Sequence, residues 1–151
     1  IRIPINESSD DQSQIEEYLR EYNGEGIQHI ALDTDDIYAT VDQLRANGIS
    51  FQDTPDTYYE QLSTRLPDHP EDEEELRKRK VLLDGGEAQG GGYLMQIFTN
   101  NVIGPIFFEI IQRKGNDGFG EGNFQALFES IELDQIRRGV ITVSDTDNAA
   151  S

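Results

Sequence analysis

Apolar residues in this chain gather into stretches of strand length, GIQHIAL, VLLD, GYLMQIFT and PIFFEIIQR, separated by glycine-rich turns and by segments of helical spacing. None of these stretches can bury itself. The strands must pair into a sheet, and the helical segments must cover it. From Gly26 to Arg113 the order predicts β–α–β, two small helices, then β–β–β, an α+β arrangement. Before it, IRIPIN alternates Ile1, Ile3 and Ile5 with polar residues and proline, the pattern of an edge strand. A start inside such a stretch, without Met, predicts further residues upstream.

The helical segments carry their own signals. SQIEEYLREYNG sets Ile15, Tyr18, Leu19 and Tyr22 on one face, with Gly24 past its end. The acidic DTDD opens the helix IYATVDQLRANG, where carboxylates meet the positive end of the dipole. ISF reads as a second short strand. DTPDTYYEQLSTRL predicts a capped short helix bearing Tyr58, Tyr59, Leu62 and Leu66. EDEEELRKRK runs from acid to base along the dipole and reads as a solvated helix. VLLD and GYLMQIFT form a hairpin around GGEAQGGG, a turn that lacks the order of a phosphate loop. NFQALFESIELDQIRRG predicts an amphipathic helix with Asn123 as N-cap and Phe124, Leu127, Phe128 and Ile131 as its apolar stripe. VITVSDTDNAAS reads as a frayed tail.

Composition narrows the chemistry. Thirty acidic against twelve basic residues give a net charge of −18, which opposes nucleic-acid binding. No apolar run approaches the roughly 20 residues that span a bilayer. Without cysteine, a metal site must draw on His, Asp or Glu, the ligands of iron, manganese or magnesium. The acidity reads either as simple solubilisation or as adaptation to high salt, where self-repulsion is screened. A thermal melt across a salt series tests the second reading, which equal stability at low and molar salt overturns.

Two polar residues interrupt the apolar strands: His29 within GIQHIAL and Glu109 within PIFFEIIQR. An unpaired carboxylate is costly to bury, so Glu109 requires a cation or another strong partner. A metal meets that requirement, with imidazole as a common companion ligand. Strand alternation puts Phe107, Glu109 and Ile111 on one face, and Leu94, Gln96 and Phe98 on one face of another strand. The pattern leaves open a satisfied core histidine, a Glu–Arg pair and phenylalanines that are simply core. His69, in LPDHPED, reads as an exposed loop residue.

RIPINE, SQIEEYL, GIQHIAL, DTYYEQL, YLMQIFT, FFEIIQR and GFGEGNFQALFESIE resemble the C-terminal domain of the 4-hydroxyphenylpyruvate dioxygenase family, in order and from Arg2 to about Gly139. The family belongs to the vicinal-oxygen-chelate superfamily, so the resemblance implies a βαβββ module in a curved half-barrel sheet plus a C-terminal helix. It divides the chain into residues 1–23, the end of a preceding module with its connecting helix; 24–113, the iron-binding module; 114–139, a loop and gating helix; and 140–151, the tail.

The resemblance also implies Fe(II), an aryl α-keto acid and dioxygen as partners, homogentisate as product, a homo-oligomer and a cytoplasmic place in tyrosine catabolism. His29 and Glu109 are the implied metal ligands, with a third, a histidine, upstream of Ile1. Gln96, Gln28, Phe107 and Phe124 are the implied catalytic positions, and Asn6, Gln14, Phe98, Phe119 and Asn123 the implied substrate-binding ones. The rival readings are 4-hydroxymandelate synthase and a non-catalytic binding module of the same superfamily.

Overall fold

The computed structural model describes residues 2–5, 7 and 14–139. Asn6 and residues 140–151 lie outside them. The chain runs α1 (Gln14–Tyr22), β1 (His29–Asp33), α2 (Ile37–Ala46), α3 (Asp56–Glu60), α4 (Leu62–Arg65), α5 (Glu73–Arg79), β2 (Leu82–Gly85), β3 (Tyr93–Phe98), β4 (Phe107–Lys114) and α6 (Glu121–Arg137). The strands form one mixed sheet in the order β1-β4-β3-β2, with β1 parallel to β4 and the other pairs antiparallel.

Helix ends follow the local chemistry. Asp36 caps α2 by accepting from the Ala39 N–H, and Asp72 caps α5 by accepting from Glu74 and Glu75. The charge order of α5 is used laterally as well. Arg79 binds Asp42 of α2 at 2.8 Å and pairs with Glu75 one turn back, tying the two helices together.

Each face of the sheet has its own cover. Leu83, Met95, Ile97 and Ile110 point into the main core, where Ile37 and Val41 of α2 and Tyr59 and Leu62 of α3 and α4 are buried. Register places His29, Ala31 and Asp33 of β1 on the other face, beside Phe107, Glu109 and Ile111 of β4 and Gln96 and Phe98 of β3. The N-terminal turn of α6 seats on this second face.

Several expectations are corrected. Residues 2–5 form no strand, and Ile3 and Ile5 are exposed. Pro4 lacks a ladder donor, and what holds this segment is Arg2, which donates to the Asp117 carbonyl and carboxylate. ISF supplies only one bridge, Phe51 to Thr99, because the glycine turn before it and the Pro55 turn after it leave no length for a ladder. The expected strand from Gly26 starts at His29. DTPDTYYEQLSTRL is divided at Gln61 into α3 and α4, with Pro55 at the N-cap position and no side-chain cap.

His69 is not exposed. Its side chain retains 5% accessibility because the loop folds it against α5, where Nε2 meets the Glu73 carboxylate at 3.3 Å. Asn123 is not the N-cap of α6. Gly120 takes that place, with φ +76, and Asn123 lies inside the first turn. The helix buries Asn123, Ala126 and Ser130, while Phe124, Phe128 and Ile131 face outward. Small and polar residues let the helix approach α3, where Thr57 Oγ1 donates to the Ser130 carbonyl at 2.7 Å.

Candidate metal centre

The core of the site is a diagonal pair on adjacent strands. His29 lies opposite Phe107 and Glu109 opposite Ala31, so the two side chains leave the same face two residues apart. His29 Nε2 stands 3.5 Å from Glu109 Oε2. That separation exceeds a charge-assisted hydrogen bond, so the two groups adjoin without satisfying each other.

The electrostatics point the same way. Burial pushes the Glu109 carboxyl up to about 7, only partly countered by the Arg113 guanidinium. Burial also lowers the His29 imidazole. Both shifts favour the neutral forms and neither is caused by the other, so this is no stable ion pair. Glu109 Oε1 is buried and has no hydrogen-bond partner. A buried carboxylate with an orphaned oxygen beside a neutral imidazole is a donor set that fits a divalent cation.

Aromatic rings surround the pair. The Phe107 ring stacks on His29 at 5.1 Å, and Phe98 meets His29 edge-on at 6.5 Å and Phe107 at 6.0 Å. Phe124, from α6, stacks over Phe98 at 6.4 Å. Four elements, β1, β3, β4 and α6, thus bring His29, Glu109, Phe98, Phe107 and Phe124 together. Gln96 is buried on the same face, where its Oε1 accepts from Asn123 Nδ2 at 3.1 Å. Gln28 is half-buried just before β1, and its carbonyl accepts from the Phe107 N–H at 3.2 Å. Phe119, exposed, precedes α6 and makes no ring contact with the cluster. Gln14 opens α1, and its side chain lies outside the described structure. His69 sits at the entry to α5, paired with Glu73. Among the described residues no group of three or more His, Cys, Asp or Glu side chains converges on one point.

Behind the site lies a buried polar network absent from the sequence reading. Asp84 is fully buried and accepts from Arg65 at 3.3 Å, Gln89 at 3.0 Å and the Gly122 N–H at 2.8 Å. Arg65 also donates to the Tyr58 hydroxyl at 2.8 Å and the Leu83 carbonyl at 2.7 Å. The one available signal was Asp84 itself, a carboxylate ending the apolar run VLL. The glycines of GFGEGNF belong to the same contact. A Cβ on Gly120 would lie 1.7 Å from Gln96 Oε1, and one on Gly122 would lie 2.4 Å from Asp84 Oδ1. Only bare backbone brings the helix so close.

The fold and this face define a class. Residues 2–76 match the Glyoxalase/Bleomycin resistance protein/Dioxygenase superfamily, and the chain belongs to it. Within that class, the chain is 71% identical over 141 residues to a 4-hydroxyphenylpyruvate dioxygenase of Pseudomonas aeruginosa, covering 93% of this chain and 39% of that relative. It is 68% identical to Hemolysin VllY of Vibrio vulnificus over the same shares. Among solved structures, a triple mutant of 4-hydroxymandelate synthase from Streptomyces coelicolor superposes with a TM-score of 0.64 at 39% identity, covering 80% of this chain and 34% of that one. The chain therefore spans about two fifths of the length of the curated relatives it matches.

Proposed function

We propose that this chain is the metal-bearing part of an Fe(II)-dependent dioxygenase that converts 4-hydroxyphenylpyruvate and dioxygen to homogentisate and carbon dioxide. The observation that carries the reading is the orphaned, buried Glu109 oxygen beside His29, inside a ring of three phenylalanines. The identity to a named dioxygenase supports the substrate class.

In this reading His29 and Glu109 would hold the iron together with a third ligand, a histidine, from outside residues 1–151. Residues 24–113 supply the metal face, and 114–139 the loop and the helix that closes over it. Once bound, the iron would supply the redox chemistry that joins the keto acid to dioxygen. The protein's share is placement. Phe107 and Phe98 line the ring's slot and exclude water, and Phe124 shields it from the α6 side. Gln96 and Gln28 orient polar groups, and Asn123 acts from behind Gln96. The family resemblance also assigns substrate contacts to Asn6, Gln14 and Phe119. The same reading gives the protein a cytoplasmic place in tyrosine and phenylalanine catabolism, as a homo-oligomer. No helix among the described residues is long and apolar enough to cross a membrane.

The test is Glu109→Ala in the protein with its full ligand set, with iron content measured by elemental analysis and product by chromatography. Loss of both iron and homogentisate is expected. Wild-type homogentisate from the variant refutes the assignment. The likeness to 4-hydroxymandelate synthase makes hydroxymandelate the product to look for beside homogentisate.

A further inference from the structure

We infer that Tyr58 and Arg65 are positioning residues that fix the Gln96 amide, through Asn123, with its N–H end toward the metal face, so that the ligand group it meets must be a hydrogen-bond acceptor. The inference rests on the functional reading above and adds to it a chain of polar groups whose direction can be worked out from the donors alone.

The chain starts from groups that can only donate. The Leu83 backbone N–H donates to the Tyr58 hydroxyl at 3.0 Å, and Arg65 Nη2 donates to it at 2.8 Å. Those two bonds fill both lone pairs of the hydroxyl. Its single proton then has two takers, the Leu83 carbonyl at 3.0 Å and the Asn123 amide at 2.6 Å. The Leu83 carbonyl is already served by Arg65 at 2.7 Å. The shorter contact, to Asn123, takes the proton.

The Asn123 atom facing Tyr58 also faces Arg65 at 3.4 Å, so it meets two donors and must be the oxygen. Its nitrogen therefore points the other way and donates to Gln96 at 3.1 Å, which requires the oxygen of Gln96 at that end. Gln96 is left with Nε2 as its outward group. Gln96 projects from the face that carries Phe98, Glu109 and His29. All the members are buried or half-buried, so no member turns over without breaking a buried bond. Gly120 packs directly on the Gln96 amide and leaves it no room to swing. A keto, carboxylate or phenolic oxygen fits the resulting donor, and a donating group in its place is rejected.

Neutron diffraction from the perdeuterated protein reads the direction without any turnover. Deuterons are expected on the Asn123 atom facing Gln96 and absent from the Gln96 atom facing Asn123. The opposite placement overturns the relay. The kinetic arm uses Asn123→Asp, whose carboxylate cannot donate and turns the Gln96 carbonyl toward the ligand. In the iron-loaded protein the KM for 4-hydroxyphenylpyruvate should rise about tenfold, more than kcat falls, with iron content unchanged. In a Gln96→Ala background the same substitution should cost nothing further, and a fully additive cost there overturns the relay. A wild-type protein with no turnover refutes the functional reading instead, and the deuterium positions then decide the relay alone.

Discussion

On one face of the sheet Leu83, Met95, Ile97 and Ile110 pack with Ile37, Val41 and Tyr59 in one buried apolar cluster. On the other face, at the same strand positions shifted by one, stand His29, Glu109, Gln96 and Asp84, with phenylalanines between them. The first face is held by area removed from water, and any well-fitting apolar set would serve it. The second face is held by direction. Asp84, the Asn123 amide and the Gln96 oxygen each have a specified partner there, while the buried Glu109 Oε1 has none. A site that keeps one buried acceptor empty gives up stability for binding, as functional sites commonly do.

Breaking that comparison starts on the apolar face. Ile97→Ala should cost about 2–5 kcal/mol in denaturant unfolding, from lost transfer energy plus the cavity. Asp84→Asn preserves volume but sets an amide among three donors. It should cost about 1–3 kcal/mol and speed hydrogen exchange at Gly122 and Asn123 in the first turn of α6. Unchanged exchange there would show that Asp84 does not hold the helix. Glu109→Gln in the metal-free protein should be neutral or stabilising by about 1 kcal/mol, since it removes a buried acceptor's claim on a cation. A marked loss of stability would mean that the carboxylate is structural. Phe128→Ala, on the outward stripe of α6, should stay within about 0.5 kcal/mol of wild type by thermal melt.

The difference between the faces also explains what could be read in advance. β2, β3 and β4 were legible because apolar runs bounded by glycine have few other uses, and α2 and α5 because their caps and charge order are local. His29 and Glu109 stood out as polar groups inside apolar runs. The stripe on α6 misled: its phenylalanines have the spacing of a core face, yet the helix turns them outward and buries Asn123, Ala126 and Ser130. That choice depends on what α3 and β2 offer, and Tyr58, 65 residues away, is part of the offer. Arg65 and Asp84 were illegible for the same reason. Each is an ordinary residue at its own position, and their pairing exists only once α4 lies against β2.

From the sequence by itself came the types of the main helices and of the four sheet strands, the strand alternation, the absence of thiolate chemistry and the two donors that break the apolar pattern, because all of these are set by neighbours within a few residues. Only the tertiary structure decided which donors meet, which face α6 shows and which way the Gln96 amide points. Those outcomes depend on hydrogen bonds and packing between residues distant in the chain, and the direction of a hydrogen bond has no periodicity to read.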